Sequence, residues 1–250
     1  MSTEQSSDRA AVAHDDFAPL MPHGPITKAF DNVYVVQGTV DMAPLVRITR
    51  QMAIVVDDGQ LTLVNAVRLS PQGEAELTAL GEIAHVMHIG THGMDDAYYV
   101  ARHGAKLWAP AGAKLPDGLS ADELIGPGAT LPVAEMTPFL FEHTVDPEAA
   151  LLLARDGGIL LTCDSVQNWE STEGCSLMAK AAARAMGFLR PAQIGPPWRK
   201  RMTPAGGSLR GDFERLAALD FAHLVGGHGV PLRDVAKQRF AETIRRVYGA

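Results

Sequence analysis

Four times along this chain an apolar, strand-like run stops at a histidine or an aspartate, and no other feature restricts its fold so strongly. Ile83 to Ile89 runs into Gly-Thr-His92-Gly-Met-Asp95-Asp96, and Phe139-Leu-Phe-Glu leads to His143. Gly158-Ile-Leu-Leu-Thr-Cys163 stops at Asp164, and Leu224-Val-Gly-Gly leads to His228-Gly. Aspartate is poorly suited to a strand interior and is rarely buried without a partner. Loops at the ends of rigid strands are where sites concentrate, and glycines flanking a histidine let backbone approach a ligand closely. Histidine and aspartate are competent ligands for zinc and iron. Each position also has a plain structural reading. Asp95 or Asp96 could cap the next helix, His92 could hydrogen-bond within its loop, and Asp164 could terminate a turn. Singly these signals are weak; four in series are much stronger.

The segments between them alternate. Val33-Tyr-Val-Val36, Val46-Arg-Ile-Thr49, Ala53-Ile-Val-Val56 and Leu61-Thr-Leu-Val64 are short β-branched runs, the last two split by a hairpin turn at Asp57-Asp-Gly-Gln60. Ser70 to Gly81 has an N-cap, a proline at the first helical position, early acids and a terminal glycine, which predicts a helix with both ends marked. A second helix is predicted through Tyr98 to His103, stopped by Gly104, then a strand at Lys106 to Ala109. Strands are expected at Phe139–His143, Ala150–Ala154, Gly158–Cys163 and His223–Val225, and helices at Ser176–Met186, Leu209–Leu219 and Leu232–Val247. The proline- and glycine-rich stretch Gly187 to Gly207 reads as a long irregular crossing. Residues 1–30 read as an N-terminal extension, partly flexible, and 31–250 as a single domain. Strand runs, helix–strand pairs and strand runs again predict an α/β architecture, an αββα sandwich of two mixed β-sheets with helices on the outer faces.

The formal charge of −7 argues against nucleic-acid or anionic-membrane partners, which want clustered Lys and Arg. One short cluster, Arg199-Lys200-Arg201, goes the other way and reads as a solvated loop before a phosphate contact. Cys163 and Cys175 cannot make a disulfide framework, and Cys163 reads as a small buried hydrophobe. No apolar run approaches the ~18–20 residues needed to cross a bilayer, and the polar N-terminus lacks a secretory pattern. The expected location is cytoplasmic. His85 and His88 read as core or sheet-surface residues, His103 as a helix-end cation, and His14 and His23 carry no spacing signal. Tyr98 and Tyr99 are candidates to line a pocket, and Trp169, Trp198, Asn168 and Arg199 to shape a cleft.

In their order and contexts the strand-end residues resemble the metallo-β-lactamase superfamily, across roughly Asn32 to Val247. That family carries a His-x-His-x-Asp-His motif, then a later His, a bridging Asp and a last His. By resemblance His92 is the first His and Asp96 the Asp, while His143, Asp164 and His228 fall at the later His, the bridging Asp and the last His. Met94 and Ala97 stand where the motif has its second and third histidines. Val64-Asn65-Ala-Val67 stands where Val-Asp-x-Gly is usual.

The resemblance implies a metal set of His92, Asp96, His143, Asp164 and His228, two short of the full complement. It implies a metal-dependent hydrolase acting on a small molecule through an ester, lactone, thioester or similar bond. Zinc is the first expectation, one ion before two; iron or no metal are the alternatives. Asp96, or its neighbour Asp95, is the candidate acceptor of the water's proton, and His228 the candidate to orient substrate. The alternatives are a catalytically decayed binding relative and an iron-binding redox variant. Substrate and oligomeric state are not written in the sequence.

Overall fold

The turn at Asp57-Asp-Gly-Gln60 joins two strands that pair Asp57 with Gln60, and Asp58 and Gly59 both take positive φ (47° and 75°). This is the primed turn whose twist matches that of paired strands. The computed structural model describes residues 17–116 and 118–249. Its first sheet contains β1 (Thr27–Phe30), β2 (Val33–Ala43), β3 (Val46–Asp57), β4 (Gln60–Val64), β5 (Glu82–Met87), β6 (Lys106–Pro110) and β7 (Glu123–Ile125) in that order. β1 to β4 are antiparallel, and β4 to β7 are parallel.

The second sheet is built from β8 (Met136–Leu140), β9 (Ala149–Leu153), β10 (Ile159–Leu161) and, later in the chain, β13 (His223–Val225). Its order is β13-β10-β9-β8, with only β10 and β13 parallel. A two-stranded ribbon pairs β11 (Val166–Gln167) with β12 (Gln193–Ile194).

Both faces of each sheet are buried, and the period-two alternation of strands assigns each residue to one face. Ala53 and Val55 of β3, Leu151 and Leu153 of β9, and Ile159 and Leu161 of β10 fill the layer between the sheets. The intervening Met52 and Ile54 face α1 (Pro71–Thr78) and α2 (Asp96–His103). Ala150 and Leu160 face the outer layer of α4 (Pro196–Met202), α5 (Arg210–Ala218) and α6 (Ala236–Tyr248). The sandwich expected from the alternation of segments is therefore present. A separate small cluster joins α3 (Leu177–Ala185) to Val46 and Ile48 of β3.

Helix ends follow the local signals. The Ser70 hydroxyl accepts from Gly73 N ahead of Pro71, and Gly104 closes α2 at φ 67°. Some expectations change. The helix expected over Leu232–Val247 begins only at Ala236, because Leu232 N and O pair with Leu224. The strand expected over Phe139–His143 stops at Leu140, because the amides of Glu142 and His143 turn to the Asp212 carboxylate instead of a neighbouring strand. The crossing expected over Gly187–Gly207 contains β12 and α4, which starts on Pro196 and Pro197, the place where a helix tolerates prolines.

The described part of the N-terminal arm is tied down. β1 pairs with β2, Phe17 sets its ring edge-on to Tyr98, and His23 Nε2 accepts from Ser70 N at 2.8 Å. Residues 1–16, with His14, lie outside the described residues. No helix among the described residues is long and apolar enough to cross a membrane.

Candidate metal centre

β10 and β13 run parallel with Leu161 opposite Val225, so the residues three further along each strand emerge at one level. Those residues are Asp164 and His228. The loop after β5 brings His92 to the same place from the other sheet. His92 Nε2 lies 3.2 Å and His228 Nε2 3.0 Å from the same oxygen, Asp164 Oδ1. The two imidazoles cross at 87° with centroids 4.7 Å apart.

Two glycines permit this approach. A Cβ on Gly227 would sit 2.9 Å from His92 Cε1. Gly229 has φ +86°, and a Cβ there would lie 1.9 Å from the Asn168 carbonyl oxygen. The side chains are mostly buried, at 11% exposure for His92, 17% for Asp164 and 7% for His228.

The surrounding bonds fix how the three present themselves. His228 Nδ1 lies 2.5 Å from the Thr49 carbonyl oxygen, which can only accept, so Nδ1 carries the hydrogen. In the neutral ring Nε2 then turns a lone pair toward Asp164, the arrangement typical of a ligating histidine. Trp169 stacks on the His228 ring at 5.5 Å and 25°. Asp164 accepts from Thr91 Oγ1 at 3.0 Å on Oδ2 and from Gln167 Nε2 at 3.0 Å on Oδ1. Burial alone would raise the Asp164 carboxyl, but the charge and hydrogen bonds of His92 and His228, when they carry a proton toward it, outweigh burial and hold it well below the usual carboxylate range. Burial lowers the His92 imidazole despite Asp164, which favours the neutral ligating form. His92 Nδ1 is buried without a hydrogen-bond partner.

Asp96, Asp95 and His143 do not join this group: their carboxylates and ring have other partners, although Asp96 lines a small hollow beside His92. Asp96 Oδ2 lies 2.8 Å from His88 Nδ1, a pair buried beside Gly93. Asp95 Oδ2 accepts from the Arg50 guanidinium and from Arg68 N at 2.7 Å. Both carboxylates are buried, and burial of a carboxylate demands such partners. Asp95 occupies the capping position of α2 but makes no side-chain capping bond. His143 lies exposed in a second group with Glu142 and Asp212, its Nδ1 3.2 Å from Asp212 Oδ2. Arg215 bonds both carboxylates of that group, so each already has a cationic partner. Met94 is 41% exposed.

Sequence reasoning missed Arg50, Gln51 and Glu148 around this centre; His88, expected in the core or on the sheet surface, is buried and paired with Asp96. Gln51 donates to the Gly226 carbonyl and its backbone N to that of Gly227, tying β3 to the His228 loop. The only signal was that polar Thr49-Arg50-Gln51 interrupts an otherwise apolar strand. Glu148 is buried, accepts from Trp198 Nε1 at 2.6 Å, and is pushed up to about 8, chiefly by burial.

No protein-family model matches the chain, and no curated protein matches it in sequence. Solved structures do. DIM-1 metallo-β-lactamase superposes with a TM-score of 0.58 over 90% of this chain and 99% of its own, at 14% identity. The chain has the metallo-β-lactamase fold. A metallo-β-lactamase from Erythrobacter litoralis gives a TM-score of 0.57 at 14% identity, covering 89% and 92% of the two chains. FIM-1 from Pseudomonas aeruginosa, solved in a mono-zinc form, gives 0.57 at 15% identity over 91% and 97%. The metallo-β-lactamase fold extends over nearly all of this chain, with little sequence in common.

Proposed function

We propose that the chain is a metal-dependent hydrolase of a small-molecule ester, lactone or thioester, with one divalent ion held by His92, Asp164 and His228. One observation carries this reading: two imidazole Nε2 atoms converge on a single carboxylate oxygen, one of them with its lone pair turned inward by the Thr49 carbonyl. Acceptors facing one another in a mostly buried place need a proton or a cation between them. Three protein ligands with an open fourth position are the composition of a catalytic zinc. The same composition suits iron(II), which is why the metal is to be identified directly.

One ion is favoured over two. Asp96 is committed to His88, and the hollow among Asn65, His88, His92, Gly93 and Asp96 has no room for a water molecule. His143 belongs to the group around Asp212 and Arg215. The mono-zinc form of FIM-1 is a precedent for a single ion on this fold.

The bound ion would supply Lewis acidity and a water whose pKa falls from 15.7 to roughly 7. The chain's own residues set the stage for it. Thr49 and Trp169 fix the His228 ring, while Gln167 and Thr91 fix Asp164. Asp95 is spent on Arg50 and Arg68, and we assign it no proton-transfer role. A binding relative without turnover is the second reading, favoured by the buried Arg50–Asp95 pair, which turns a motif carboxylate to structural use.

Elemental analysis of protein purified without chelator tests the proposal. About one zinc or iron per chain, lost in Asp164→Ala, together with esterase activity lost in His92→Ala, is the expected result. Metal-free protein that gains nothing on adding zinc or iron(II) would overturn the proposal. A stoichiometric ion without turnover would leave the binding relative standing.

A further inference from the structure

α3 turns its larger apolar side chains to solvent. Its buried residues are Ala179 and Ala183, whereas Leu177, Met178, Ala181, Ala182 and Ala185 are exposed. Those positions recur at i, i+1, i+4, i+5 and i+8, so they form one continuous apolar face. Leu177, at 83%, and Leu45, at 80%, are the most exposed large apolar side chains among the described residues, followed by Met42 at 63%. Met42 and Leu45 sit at the tip of the β2–β3 hairpin, and the Ser176 hydroxyl at the start of α3 donates to the Leu45 carbonyl at 2.7 Å. Helix and hairpin tip therefore carry adjoining apolar surface. Monomeric proteins rarely leave a contiguous patch of more than a few hundred Å² in water.

The charges flanking this face run in a definite order. Glu170 and Glu173 precede the helix, Arg184 lies near its end and Arg190 follows it, all four exposed. None of them makes an ion pair among the described residues. Acids first and cations last suit the dipole of any helix; an outward apolar face between them does not follow from that. An anionic bilayer would attract the cations but repel the acids, in a chain of net charge −7. A second copy matches both ends. Rotation by half a turn about an axis near Ala181 and Ala182 lays two such helices antiparallel. Glu170 and Glu173 of each copy then lie toward Arg184 and Arg190 of the other, and the two apolar faces cover one another.

We propose that α3 and the tip of the β2–β3 hairpin form the interface of a symmetric dimer of this chain, with the two α3 helices antiparallel across the two-fold axis. Met42, Leu45, Leu177 and Met178 supply its apolar centre, and the Glu173–Arg184 pairs its rim. α3 packs in the small cluster that contains Trp169, the ring stacked on His228. The dimer thus backs one wall of the candidate centre, and it forms with or without a metal and with or without turnover.

Sedimentation equilibrium of the full chain over ~1–200 μM should show a reversible dimer. Ala182→Glu sets two like charges beside the axis and Leu177→Asp puts a charge in the apolar centre, and each should weaken the dimer about tenfold or more. Both side chains are exposed, so circular dichroism and the urea midpoint of the dilute protein should stay those of wild type. Glu173→Arg should weaken association about threefold to tenfold, and adding Arg184→Glu should restore it, because each rebuilt pair crosses the axis. A monomer throughout the range, or a dimer that withstands both Ala182→Glu and Leu177→Asp, would sink the proposal. A double swap no tighter than Glu173→Arg alone would refute the antiparallel arrangement. A monomer that sediments with phosphatidylglycerol vesicles, and ceases to in Leu177→Asp, would give this face to a membrane instead.

Discussion

Buried ionisable side chains surround the His92–Asp164–His228 group, and each is held by a particular neighbour. Arg50 is 4% and Asp95 2% exposed, and the guanidinium also reaches the Ala66 carbonyl at 3.2 Å. Arg50→Met strands Asp95 as a buried charge, so unfolding in urea should show a loss of about 3–5 kcal/mol. A loss under ~1 kcal/mol would mean that Asp95 finds other compensation. Glu148 makes the opposite pH statement. Its carboxyl is raised from 4.5 to about 8 in the fold, so between those values the unfolded chain is ionised while the folded chain keeps its proton. The contribution is full at and below pH 4.5 and is lost as pH rises toward 8, with a slope approaching ~1.4 kcal/mol per unit. Urea midpoints at pH 5 and pH 7.5 should therefore spread further apart in wild type than in Glu148→Gln. Equal spreads would show an ionised carboxylate.

Strand register and the loops after the strands place the candidate ligands. The parallel register of β10 and β13 aligns Asp164 with His228, and the loop after Met87 of β5 delivers His92. Ser176 works at the element scale: its hydroxyl accepts from Ala179 N and Arg47 N and donates to the Leu45 carbonyl. It therefore caps α3 and staples that helix to the β2–β3 hairpin. Ser176→Ala should cost about 1–2 kcal/mol by thermal or urea unfolding, and faster amide exchange is expected at Ala179 and Arg47. Exchange unchanged at Arg47 would show that the staple is unnecessary. The sequence made α3, α5, β13 and the Asp58–Gly59 turn readable because caps, glycines and periodicity act locally. It hid α4 because a Pro-Pro start resembles a loop until Trp198 and Met202 find the outer face of the second sheet.

At the scale of the molecule, the candidate centre joins the two halves of the sandwich. His92 arrives from the first sheet, and Asp164 and His228 from the second, while Asn65 Nδ2 donates across to the Thr162 carbonyl at 2.9 Å. A ligand shared by both sheets should stabilise the whole domain. Zinc at about a hundred times its Kd is worth ~2.7 kcal/mol, roughly 5–10 °C in Tm for a chain of this size. Calorimetry of stripped protein with and without zinc should show that shift in wild type and none in His92→Ala. A shift retained in His92→Ala would place the ion elsewhere. The sequence by itself determined the layered architecture and the series of strand-end histidines and aspartates, because period-two burial and turn chemistry are written in neighbouring residues. The tertiary structure alone decided which of them meet. It joined His92, Asp164 and His228, and gave Asp96 to His88, Asp95 to Arg50 and His143 to Asp212. The reason is physical: a buried carboxylate must have a partner, and long-range packing, not local sequence, brings that partner within reach.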